Sequence, residues 1–204
     1  MSRSVIIVHG LFMSPLVMKV LEKRLQRLGY ITYNFGYPSR HYSNKTLERL
    51  HRLCCSIEED EIYFLGHSLG GIVINHYLSQ YHAPNKCKRI VTLGTPYNGS
   101  RIAEYFSHTA YGNVLFGHER TEQVLISGIT QKTQLPVGVI IGTKNIGVGF
   151  AFGIEQGDGT VSLDEAHLPW ATDQYYLPLS HTALIYSKRA VHLANQFFST
   201  GHFK

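Results

Sequence analysis

No apolar run in this sequence approaches the roughly 18 residues that a bilayer crossing requires, so no integral membrane segment is expected. Cysteine is scarce, with only Cys54, Cys55 and Cys87. An odd count with one adjacent pair makes a poor disulfide framework, and Cys54 falls on the apolar face of a predicted helix, where it reads as a small buried hydrophobe. In the opening MSRSVIIVHG, His9 and Gly10 end the apolar run too early for a signal peptide. The chain is therefore expected to begin with its first strand and to reside in a reducing cytoplasm. Internal repeats, linkers and low-complexity tracts are also missing. So is any block of one charge. The net charge of +5 is carried by a basic excess in residues 1–101, as single charges on helix faces such as KVLEKRLQRLG, and 102–204 are slightly acidic. A solvated helix face accounts for that pattern. The aromatics do not interleave with the basic residues as a nucleic-acid platform would need, so no nucleic-acid partner is expected.

What is present is the composition of a folded globular protein: 44% hydrophobic and 16% charged residues over 204 positions, enough for one domain, 1–204, with a substantial core. Strand-like runs rich in Val, Ile, Tyr and Phe recur at 5–9, 30–35, 62–66, 89–94, 137–143 and 174–179. Most lack clean alternation, which suits strands covered on both faces. Helical spacing lies between them. Leu16, Val17, Val20, Leu21, Leu25 and Leu28 form one stripe, stopped by Gly29; Leu47, Leu50, Leu53, Cys54 and Ile57 form another. LGGIVINHYLSQY and SKRAVHLANQFF continue the series. The alternation predicts an α/β fold with right-handed crossovers and a mainly parallel sheet, its functional loops at the carboxyl ends of the strands. Residues 97–130 and the Gly-rich 144–159 fit the alternation poorly.

One corner carries chemistry. In FLGHSLGG, Ser68 follows a predicted strand and precedes a predicted helix, flanked by Gly66 and Gly70. G-x-S-x-G in that setting is a nucleophile elbow, a tight turn that lifts the serine Oγ above the sheet, with glycines where side chains would strike the neighbouring strand and helix. The bare motif is weak, since about one chain of this composition in eight would contain it by accident. The strand-before, helix-after context is what singles it out. A Gly-rich turn with an incidental serine is the alternative.

A serine hydroxyl needs a base, and the base needs an orienting carboxylate. On this architecture they should follow in the order Ser, Asp or Glu, His. Three aspartates follow Ser68. Asp158 lies in the turn GDGTV after a strand; Asp164 could equally cap a helix, and Asp173 precedes the last strand. Glu155 is a fallback. For the base, His181 in LPLSHTALI sits between the last strand and the final helix, His167 lies in a helical stretch, and His67 and His76 are too near Ser68 along the chain. The expected catalytic residues are therefore Ser68, Asp158 and His181. The backbone N–H groups of Leu11 and Leu69 are the expected oxyanion hole, with Phe12 replacing Leu11 if the first turn is one residue longer. The apolar loop Ile146, Val148, Phe150, Phe152, Ile154, within 144–157, would wall an acyl pocket, act as a mobile lid, or pack as core.

VIIVHGLF, FLGHSLGG, VTLGTPYNGS, GDGTV and SHTALI, in this order, resemble the α/β-hydrolase family, and within it the small lipases of the class 2 and bacterial lipase A type. Tyr97 stands where these lipases often carry histidine. The resemblance implies a three-layer sandwich with a sheet of about six strands, and little or no cap domain. It also implies the triad on the three positions named, no metal or cofactor, and hydrolysis of a small-molecule or lipid carboxylic ester. A thioesterase or acyltransferase would use the same triad, and a non-catalytic binding module would share the fold. The sequence leaves the oligomeric state open.

Overall fold

The computed structural model describes residues 1–109, 119–129 and 131–204. Six strands form one sheet: β1 (Arg3–Val8), β2 (Ile31–Phe35), β3 (Glu61–His67), β4 (Cys87–Leu93), β5 (Val137–Gly142) and β6 (Asp173–Leu177). Their order is β2-β1-β3-β4-β5-β6, and every neighbouring pair is parallel. All six expected strands are present, with ends shifted by no more than two residues.

Alternate residues of β1 enter different cores. Ile6 and Val8 join Leu47, Leu50, Ile72 and Tyr77 on one face, while Val5 and Ile7 join Leu21, Leu25, Phe197 and Phe198 on the other. Two-sided burial is why the strands read as unbroken apolar runs. The first face is covered by α2 (Asn44–Ser56) and α3 (Leu69–Gln80), the second by α1 (Lys19–Arg27) and α8 (Lys188–Thr200). The result is the expected three-layer sandwich, and among the described residues no cap domain is present. Helix α3 is buried nearly all round its first two turns, from Leu69 through Asn75. That burial makes it a rigid mount for whatever its N-terminus presents.

Two local expectations need correction. In the first stripe Leu16 is 77% exposed and Val20 and Leu28 are also exposed, whereas Met18, Leu21 and Leu25 are buried. The helix starts only at Lys19, after a series of turns, so Leu16 lies outside its periodicity. Asp164 is not a helix cap. Ser162 caps α6 (Leu163–Ala166) in a box closed by Glu165, because the serine hydroxyl accepts from the Glu165 N–H and the Glu165 carboxylate returns to the Ser162 N–H.

The region 97–130 folds as α4 (Arg101–Ser107) and α5 (Glu119–Ser127), packed against each other beyond the end of β4. Residues 110–118 and 130 of that stretch lie outside the described residues. The chain runs outward from β1 to β2, then crosses back to place β3 on the other side of β1. Crevices in open α/β sheets form where the winding reverses, at the carboxyl ends of the two strands involved. Here that point lies between the ends of β1 and β3.

Candidate active site

Ser68 stands at that point, directly after β3 and directly before α3. Its backbone has φ 54° and ψ −126°. Among the described residues only Phe12, at φ 58°, shares a positive φ without being glycine. Such a conformation costs on the order of 1–3 kcal/mol and persists only where the surroundings impose it. The surroundings do so: the Ser68 N–H donates to the Leu93 carbonyl at 2.9 Å, and the Ser68 carbonyl accepts from Gly71 N–H and Thr95 Oγ1, both at 3.0 Å. A Cβ on Gly66 would stand 2.6 Å from the Gly71 nitrogen, and one on Gly70 would overlap the Val8 carbonyl. The flanking glycines are therefore required by close backbone approach, as the turn type demands.

Asp158 and His181 meet. His181 Nδ1–H donates to Asp158 Oδ2 at 2.7 Å, and the His181 N–H donates to the Asp158 carbonyl at 2.8 Å. The other carboxylate oxygen, Oδ1, accepts from the N–H groups of Thr160 at 3.0 Å and Val161 at 2.8 Å. Both residues are buried. A carboxylate only accepts, so this geometry puts the imidazole proton on Nδ1 and leaves Nε2 with a lone pair. The imidazole begins the short helix α7 (His181–Ile185) after β6, and borders the same cavity as Ser68.

The competing residues lie elsewhere. Asp164, Glu155 and His167 are exposed. Asp173 opens β6, at the opposite end of the sheet, and accepts from the Phe203 N–H. His76 pairs with the Tyr42 hydroxyl. Tyr97 is buried and donates to Thr92 Oγ1 at 2.9 Å, so the residue that replaces histidine serves the core.

The turn after β1 is held by His9. Its buried ring stacks on Tyr37 at 4.5 Å, its Nδ1 contacts the Gly10 carbonyl at 3.0 Å, and the Tyr37 hydroxyl donates to the His9 carbonyl. Leu11 and Phe12 follow and line the cavity beside Ser68. Leu69 is the first residue of α3, where a backbone N–H has no acceptor within the helix and the dipole is positive.

Residues that sequence reasoning did not single out complete the site. Gly94, at φ +57°, lies against the pair: a Cβ there would stand 2.8 Å from Asp158 Oδ2 and 2.9 Å from His181 Nδ1. Its signal was a glycine ending the predicted 89–94 strand. The cavity encloses about 290 Å³, and α4 and α5 supply Ala103, Phe106 and Leu125 to its wall. These come from the stretch that fitted the alternation poorly. Of the five apolar residues of the loop 144–157, Val148 lines the cavity and Ile154 is buried in the core, whereas Ile146 and Phe150 are exposed and Phe152 packs against Tyr105 and Phe106. A larger groove of about 580 Å³ runs past Tyr81, Pro84 and Cys87 at the far end of the sheet, away from these groups.

His67 lies beneath the pair, its ring 4.6 Å from that of His181, and its Nε2 reaches the His181 carbonyl at 3.2 Å. Nε2 must donate there, so Nδ1, which has no partner, carries the lone pair. Burial, with help from the neighbouring His181 and His9, holds the pKa of His67 well below the usual histidine range. Below about pH 6.5 the unfolded chain takes up a proton that the folded ring refuses, so stability falls as pH falls and is level above that range. The urea midpoint should therefore be lower at pH 5 than at pH 7.5, with a slope approaching about 1.4 kcal/mol per pH unit from this histidine. His67→Gln should flatten that limb; an equally steep limb in the variant would assign it to other groups.

Among the described residues, no helix is long and apolar enough to cross a membrane, and no cluster of three His, Cys, Asp or Glu side chains could hold a metal ion. A family profile described as alpha/beta hydrolase fold matches residues 3–136. Comparison with curated protein sequences gives no match. Several solved structures share the fold. The mature form of the lipase BlEst2 from Bacillus licheniformis is similar over 96% of this chain and 90% of its own, with 19% identity and a TM-score of 0.70. The metagenomic carboxyl esterase MGS0156 is similar over 97% and 75% respectively, with 17% identity and a TM-score of 0.66. The pyrethroid hydrolase PytH is similar over 98% and 99%, with 14% identity and a TM-score of 0.65.

Proposed function

Since the chain belongs to the alpha/beta hydrolase fold family, we propose that it is a serine hydrolase cleaving carboxylic esters, with Ser68 as nucleophile, His181 as base and Asp158 as orienting carboxylate. The observation that carries this reading is the 2.7 Å bond between His181 Nδ1 and Asp158 Oδ2 beside a cavity that Ser68 also lines. The lipase and the carboxyl esterase with similar folds bear names of the same chemistry.

In the first step Ser68 Oγ attacks the ester carbonyl carbon while the lone pair on His181 Nε2 takes the hydroxyl proton. The carbonyl oxygen becomes an oxyanion, held by the N–H groups of Leu11 and Leu69. The tetrahedral intermediate collapses, the imidazolium gives its proton to the departing alkoxide, and an acyl-serine remains. Water, deprotonated by the same imidazole, attacks the acyl carbon; the bond to Ser68 Oγ breaks, the imidazolium returns its proton to that oxygen, and the acid leaves. Asp158 keeps its charge throughout and stabilises the imidazolium. All of 1–204 serves as one catalytic domain in this reading. A reducing cytoplasm suits the three free thiols, Cys54, Cys55 and Cys87.

A fluorophosphonate probe tests the assignment directly, because only an activated serine reacts with it. Peptide mapping should find the label on Ser68, and Ser68→Ala should take none. A protein that resists the probe would be a binding module on a hydrolase fold.

The packing around Gly94 yields a second expectation. Alanine at φ +57° is strained by about 1–2 kcal/mol, and its methyl group would press on the Asp158–His181 bond. Displacing a catalytic pair by about 1 Å can cost a factor of about 100 in rate. Gly94→Ala should therefore lower kcat for a p-nitrophenyl ester by about that factor, with KM little changed. A kcat within twofold of the parent would mean that the pair tolerates the methyl group.

A further inference from the structure

The turn after β1 and the end of β2 meet in a set of buried polar contacts that the proposed reaction does not use. Tyr37, just past β2, is buried; its hydroxyl donates to the His9 carbonyl at 2.8 Å and its backbone N–H to His9 Nε2 at 3.4 Å. Its ring stacks on the imidazole. With Nε2 accepting, the ring proton of His9 is on Nδ1, which donates to the Gly10 carbonyl at 3.0 Å. The Met13 N–H donates to the same carbonyl at 3.3 Å. Farther along the turn, Asn34 Nδ2 donates to the Pro15 carbonyl at 2.8 Å, and a Cβ on Gly36 would stand 2.9 Å from Pro15 Cγ. Residues 34–37 thus hold the turn at both ends.

The hold acts on one peptide plane. In a trans peptide the C=O and N–H point in opposite directions, and among the described residues no peptide bond is cis. Fixing the Gly10 carbonyl toward the His9 ring and the Met13 N–H therefore turns the Leu11 N–H the other way. Among the described residues, no hydrogen-bond acceptor takes that N–H. Gly10 packs on the nucleophile, since a Cβ there would stand 2.9 Å from Ser68 Cβ, and Leu11 lines the cavity. The next residue, Phe12, has φ 58°, a conformation that persists only where the surroundings impose it. Contacts from outside the turn are what impose it here.

Resting on the Ser68 hydrolase reading, we propose that Tyr37 is a positioning residue. Acting through His9, it sets the plane of the Gly10–Leu11 peptide and makes Leu11, rather than Phe12, the oxyanion donor. Neither Tyr37 nor His9 lines the cavity, so neither touches the reacting atoms.

Tyr37→Phe in the whole protein tests this, because it removes the hydroxyl and keeps the stacked ring. Removing an oxyanion donor outright costs about 100- to 1000-fold in kcat. A donor left loose should cost at least about tenfold on p-nitrophenyl butyrate, with KM little changed. A trifluoromethyl ketone forms an adduct with Ser68 whose own oxyanion enters the same hole, so its inhibition constant should rise by the factor that kcat/KM falls. A role confined to packing would lower the melting temperature and leave that inhibition constant where it is. Should Tyr37→Phe fail to fold, two changes at His9 decide. His9→Asn keeps an N–H donor near the place of Nδ1 and loses the ring; His9→Phe keeps a ring and loses the donor. The asparagine variant should be at least about tenfold faster in kcat. A phenylalanine variant as fast as the asparagine one, or a Tyr37→Phe protein with kcat and inhibition constant within about twofold of the parent's, overturns the positioning role alone. A parent that neither hydrolyses p-nitrophenyl butyrate nor takes a fluorophosphonate label overturns the hydrolase reading and the positioning role with it.

Discussion

Ser68→Ala is expected to reduce kcat on a p-nitrophenyl ester by about six orders of magnitude, the loss seen when a triad nucleophile is removed, while leaving the fold in place. The substitution deletes one hydroxyl and adds nothing to the packing. The strained turn keeps its backbone bonds to Leu93, Gly71 and Thr95, none of which uses the Ser68 side chain. Its melting temperature should therefore stay within a few degrees of the parent's, as for about 1 kcal/mol or less. Triad members act as a unit, so Ser68→Ala combined with His181→Ala should be no slower than Ser68→Ala alone. Residual activity in both should come from the oxyanion donors and binding. Turnover by Ser68→Ala within tenfold of the parent would end the case for this serine, and active-site titration would exclude contaminating enzyme.

Asp158→Asn is the second large effect, and the structure states which way the amide must point. Oδ1 of Asp158 accepts from two backbone N–H groups, Thr160 and Val161. An asparagine keeps those bonds only by placing its own oxygen there, which turns its NH₂ toward His181 Nδ1. Two donors cannot face each other, so the imidazole moves its proton to Nε2 and loses the lone pair that would deprotonate Ser68. A loss of about four orders of magnitude in kcat is the known consequence of holding a triad histidine in the wrong tautomer. Asp158→Asn should still fold, since shape and two of the hydrogen bonds are kept. A variant with near-parental kcat would show that the proton on His181 is not governed by Asp158, and another carboxylate would have to be sought.

Much of this was legible in one dimension because the informative contacts are local. A strand, a turn and a helix follow one another around Ser68 within twenty residues, from Glu61 to Gln80, so their patterns identify the elbow without any knowledge of the sheet. Two-sided burial of β1, β3 and β5 likewise wrote itself as apolar runs. The first helix is less legible: Leu16 carries the right spacing but precedes the helix, because turns after β1 consume those residues.

The sequence by itself determined the element types, the parallel alternation and the turn at residue 68, each of which depends on neighbours a few positions apart. Only the tertiary structure brought Asp158 within 2.7 Å of His181, pressed Gly94 against both, and folded α4 and α5 into the wall of a cavity. Those relations follow from strand order and from how far each loop reaches. Backbone periodicity carries no record of either, because residues distant along the chain become neighbours only when the whole sheet has formed.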